Sequence, residues 1–127
     1  MNSIASIRLL FLVSAAYDGL LGLAFLVAGP RIYAATGIMP PNHWGYVDFA
    51  AGILVIFGLM FLQIARDPVK FQVLIPYGVL LKVCYVGTLV CYWLGSGIPD
   101  LWKYFAAADT VFAVLYLLSL QTLKAKP

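Results

Sequence analysis

The sequence has no glutamate, one histidine and two cysteines among its 127 residues. Charged residues make up only 10% of the chain. A soluble domain carries roughly a quarter, so a soluble globular class is excluded first. With His43 alone, there is no histidine pair to hold a metal or a haem, and neither a phosphate-binding loop nor a nucleophile motif is present. No metal and no cofactor is expected. Cys84 and Cys91 are seven residues apart. On a helix that is about two turns, too far for a disulfide, and both are expected to act as small apolar packing residues. The net charge of +3 is small and scattered, which excludes nucleic acid as a partner.

Apolar residues are abundant, at 64%. They fall into long runs at about 7–28, 44–65, 71–94 and 101–120. Each is about the length needed to cross a bilayer as a helix. The fold class expected is an all-α integral membrane protein, a single domain over 1–127 with four transmembrane helices in an antiparallel bundle. The first run competes with a secretory signal peptide, because Arg8 precedes it, but it is too long and holds Asp18 near its centre. Gly29-Pro30 is expected to end it. Residues 31–43 then form the longest connection, lying on the membrane interface or folding over the bundle mouth. Arg66-Asp67-Pro68 is a tight polar loop, so the second and third helices are expected to be neighbours. Pro76 is expected to bend the third helix, and Asp100 to cap the fourth.

Basic residues set the orientation. Arg8, Arg66, Lys70, Lys124 and Lys126 fall on one side, and Arg31 and Lys103 on the other. That asymmetry places both termini in the cytoplasm.

The third run, Phe71 to Leu94, carries one formal charge, Lys82, near its middle. A lysine at that depth costs a few kcal/mol or more unless it is paired or hydrated. Each of the other runs contains one aspartate: Asp18, Asp48 and Asp109. Small residues lie three or four positions from each: Ser14, Ala15 and Gly22; Gly45 and Gly52; Ala106 and Ala113. Such faces let helices approach closely. The expectation is one buried cluster of Asp18, Asp48, Lys82 and Asp109, with Ser14, Tyr17 and Tyr85 as supporting polar groups. Asp18 and Asp109 match Lys82 best in depth. Asp48 is nearer the outer end of its helix. The cluster is a candidate site, and no catalytic role is assigned within it.

Gly22 to Pro30, Gly37 followed by Pro40, the run AGILVIFGLMFLQIARDP (Ala51 to Pro68), the glycine–lysine face of the third run, and Pro99 to Asp109 form a wider pattern. Taken together, these stretches resemble the small bacterial four-helix membrane proteins grouped as DoxX-like. The resemblance implies a multi-pass protein of the bacterial inner membrane. Some members of that group are associated with quinone-linked or thiol-redox membrane complexes. The sterol-isomerase-like (EXPERA) fold also sets acidic residues inside a four-helix bundle, but the lack of glutamate counts against that comparison.

Three functions compete. The first is a non-enzymatic accessory or oligomeric membrane module with a structural polar core, its partners being the bilayer and either further copies or a larger complex. The second is a proton-coupled small-molecule transporter or channel. The third is an isomerase-like membrane enzyme acting on a lipid-soluble substrate, with an aspartate as acid and base and Lys82 as its electrostatic partner. A dry, fully paired cluster favours the first, and a vestibule reaching both faces favours the second. A lateral pocket lined by Asp18, Asp109 and Tyr85 favours the third.

Overall fold

The structure, a computed structural model, describes residues 3–125; Lys126 lies outside the described residues. No strand occurs among the described residues. The elements are α1 (Ile4–Thr36), α2 (Gly45–Arg66), α3 (Ile75–Leu94) and α4 (Asp100–Lys124), with one 3-10 turn, Gln72–Leu74, before α3. Among the described residues, four helices are therefore long and apolar enough to cross a membrane.

Ser3 starts α1 by accepting the Ser6 backbone N–H on its side chain at 3.1 Å. The first helical segment breaks just before Gly29-Pro30, as expected, but helical structure continues beyond the break. The chain leaves helical geometry at Ala28 (φ −131°, ψ 22°) and resumes it, so Pro30 lies inside a 33-residue element. A proline ring clashes with the carbonyl four residues back and donates no hydrogen bond, which explains a kink at this point. The element ends at Gly37, in the left-handed region at φ 69°, where a residue without Cβ is unstrained. The connection therefore shrinks to residues 37–44. It folds back over the helix ends, with Ile38 buried and Tyr33 edge-on to Trp44 at 5.0 Å between ring centres.

Two other expectations change. Pro76 sits in the first turn of α3, where its missing N–H costs nothing, so it starts the helix and does not bend it. Asp100 is the first residue of α4 and makes no capping bond; it pairs with Lys103 at 2.9 Å.

Contacts at three levels fix the course of the chain. Near one end, Phe25 and Tyr33 meet Trp102, at 5.8 and 5.9 Å between ring centres. In the middle, Lys82 contacts Asp18 and Asp109. Toward the other end, the rings of Phe11, Phe61 and Tyr116 cluster at 5.0–6.0 Å between centres and are fully buried. The helices thus run alternately up and down. Backbones approach closely within two hairpins, α1 with α2 and α3 with α4. Despite their short loop, α2 and α3 touch at only a few places, and that separation opens the cleft described below.

Within the first hairpin, glycines set the spacing. A Cβ on Gly22 would stand 2.5 Å from the Ala51 carbonyl oxygen, and one on Gly58 would stand 2.9 Å from the Gly19 backbone. The hairpins meet each other through side chains. Gly78 leaves room for the Phe61 ring, whose Cε1 is 2.7 Å from where a Cβ would lie.

Candidate functional site

Lys82 is fully buried, and its Nζ reaches both hairpins. It donates to Asp18 Oδ1 at 2.8 Å and Oδ2 at 2.9 Å, and to Asp109 Oδ1 at 3.0 Å. An ammonium has three protons, so these bonds use its whole donor capacity. Three rings enclose it, with the centres of Phe112, Tyr17 and Phe61 at 5.2, 5.3 and 5.8 Å from Nζ. Those distances are within the range for attraction between a cation and an aromatic face. The contacts come from the three other helices: Asp18 and Tyr17 on α1, Phe61 on α2, Asp109 and Phe112 on α4. The triad is the polar junction between the hairpins.

Asp48 is not part of it. It is exposed, in the first turn of α2. A carboxylate there faces the free backbone N–H groups and the positive end of the helix dipole, so it needs no buried cation. Ser14 is buried, but its hydroxyl donates to the Leu10 carbonyl of its own helix at 2.9 Å. Tyr85 donates to the Trp102 carbonyl at 3.3 Å, which ties α3 to the start of α4. Tyr17 has a buried hydroxyl with no hydrogen-bond partner among the described residues.

Above the triad lies a cleft of about 700 Å³. Phe49, Ala50 and Leu54 form its α2 wall, and Leu81, Cys84 and Thr88 its α3 wall, with Pro41 of the connecting segment at the mouth. Its polar lining includes Asp18, Asp109, Tyr17 and Tyr85, and it contains no lysine, arginine or histidine. Phe49 is 72% exposed, so the wall is open to the side. The cysteines do not pack inside the fold. Both are exposed, and Cys84 lies on the cleft wall. Two residues beyond Lys82 on a helix means about 200° around the axis, which turns Cys84 off the buried face.

Sequence reasoning raised a lateral pocket at Asp18, Asp109 and Tyr85 only as one of three alternatives, because no motif marks it. Its signal was the long aromatic complement in the outer halves of the helices: Phe25, Tyr33, Tyr46, Trp102 and Phe105. On the other side of the triad, the Phe11–Phe61–Tyr116 ring cluster, together with buried Ile7, Ile64 and Ile75, is packed shut. The site is a one-sided lateral cleft with a charged floor.

Protein-family models, curated proteins and solved structures were all compared with the chain, and none matches it.

Proposed function

We propose that this chain is a multi-pass membrane module of DoxX-like type that holds a lipid-soluble molecule in the cleft between its hairpins. The observation that carries this is the cleft itself. A volume of about 700 Å³ is within the usual range for small-molecule sites, and its apolar walls open sideways, where acyl chains would surround them. The paired state of Lys82 supports a non-enzymatic module, because the cation is spent on holding the hairpins together. The packed ring cluster beneath the triad speaks against a pathway running through one copy.

The enzyme reading stays second, favoured by two observations: the lateral cleft is lined by Asp18, Asp109 and Tyr85, and Asp109 keeps a free oxygen. Asp109 uses only Oδ1 on Lys82, its side chain is 11% exposed, and it faces the cleft. A carboxylate so placed has an oxygen available for proton transfer to a bound substrate.

The test is photolabelling in lipid nanodiscs with a long-chain alcohol bearing a diazirine. Label should concentrate on cleft residues such as Leu54 and Leu89, and excess unlabelled alcohol should compete it away. Even labelling of the outward faces, with no competition, would reject the cleft as a binding site.

The orientation proposed for this module puts both termini in the cytoplasm of the bacterial inner membrane, on the strength of the basic residues at that end. With Cys84 and Cys91 replaced by serine, Ala125→Cys should resist a membrane-impermeant maleimide in intact cells and react after lysis. Reaction in intact cells would invert the topology.

A further inference from the structure

We propose that the molecule the cleft takes is a lipophilic cation, a protonated amine on a long-chain or polycyclic body. This rests on the ligand-binding reading above and gives its chemical class. The first ground is charge. With both carboxyls ionised, the triad carries two negative charges against the one positive charge of Lys82. That lysine lies behind the carboxylates and does not itself line the cleft. An anionic ligand would therefore meet carboxylate and no basic group, whereas a cation would supply the missing charge.

The second ground is the unused hydrogen-bonding capacity. Among the described residues no hydrogen bond reaches Asp109 Oδ2, and the side chain is accessible from the cleft. Asp18, by contrast, gives both oxygens to Lys82. The ligand's N–H would donate to Asp109 Oδ2, a charge-assisted bond of the stronger kind. Tyr17 brings to the same cleft a buried hydroxyl that has no partner among the described residues. The third ground is the walls. Phe25, Tyr33, Phe49, Trp102 and Phe105 line the space above the carboxylates. Aromatic faces attract an organic cation and also accept its hydrocarbon body, and Lys82 shows this chain already surrounding one ammonium with three rings.

The experiment is a competition against the diazirine alcohol in nanodiscs. N,N-dimethyldodecylamine is compared with dodecyl methyl ether, a neutral chain of matched length. Both are dosed as mole fraction of lipid, so that partitioning into the bilayer cancels. The amine should displace cleft label at a mole fraction lower by about tenfold or more, the ratio a charge-assisted hydrogen bond of ordinary strength gives. In Asp109→Asn that ratio should fall close to one. The wild-type comparison stands whether or not the variant folds. Equal displacement by amine and ether would leave the cleft as a site for apolar molecules and overturn the cation. A tenfold ratio that persists in Asp109→Asn would overturn the assigned acceptor. Failure of both compounds to displace label would reject the site itself, and the cation with it.

Discussion

Lys82→Met should be the most destabilising single substitution in the polar junction, lowering stability in detergent by about 3–5 kcal/mol at neutral pH. Methionine keeps much of the apolar volume but leaves Asp18 and Asp109 facing each other with no cation between them. Removing one carboxylate is milder, because Lys82 keeps a partner. Asp18→Asn should cost more than Asp109→Asn, since Asp18 accepts two of the three lysine hydrogen bonds and is 1% exposed, against 8% for Asp109. The deficit of Lys82→Met should narrow as the pH falls. A folded state that needs neutral carboxyls gains stability as the pH falls wherever it binds more protons than the unfolded chain. Thermal unfolding of the three variants at neutral and acidic pH measures this. Equal stabilities with no pH dependence would mean that the triad does not hold the hairpins together.

The second large effect belongs to the glycines of the first hairpin. Gly22→Leu places a side chain where the Ala51 carbonyl oxygen already stands, 2.5 Å from the new Cβ, with Val55 Cγ2 at 2.9 Å. A carbonyl within a helix cannot step aside as a side-chain tip can, so α1 and α2 must separate. Overpacking typically costs about 1–3 kcal/mol, and a clash against backbone belongs at or above the top of that range. The displacement also reaches the triad, because Asp18 lies one turn from Gly22 on α1. Gly22→Leu should therefore weaken both fold and ligand binding. Gly52→Ala is the comparison: nothing lies within 4 Å of its Cβ position, and its effect should stay within about 0.5 kcal/mol. Thermal unfolding of the pair side by side separates close approach from a general dislike of larger residues. Similar losses in both would remove the close-packing explanation.

Much of this was legible from residue types alone. Length and apolarity of the four runs placed the helices, because a long apolar stretch with one or two charges has few other folds open to it. Lys82 with Asp18 and Asp109 was legible because a charge at that depth must find a partner and few exist. Asp48 misled because matching it to the cluster counted aspartates per helix; its place in the first turn of α2 offered a cheaper environment. Pro30 marked the break at Ala28 correctly but hid the helical segment beyond it, which is packed against the first by Phe25–Tyr33. The cleft was legible only as one alternative among three, because it arises from how far α2 and α3 stand apart. No local pattern encodes that distance. It follows from close glycine packing inside one hairpin and a lysine bridge between the two.

That bridge is the centre of the account, and solid-state NMR in lipid bilayers addresses it directly. With lysine side chains labelled with nitrogen-15 and aspartate carboxyls with carbon-13, dipolar recoupling reports which carboxyl carbons lie beside Lys82 Nζ. Contacts to Asp18 and Asp109 together, each lost separately in Asp18→Asn and Asp109→Asn, with none to Asp48, are the predicted result. A Lys82 Nζ beside Asp48, or beside no carboxyl at all, would contradict the account.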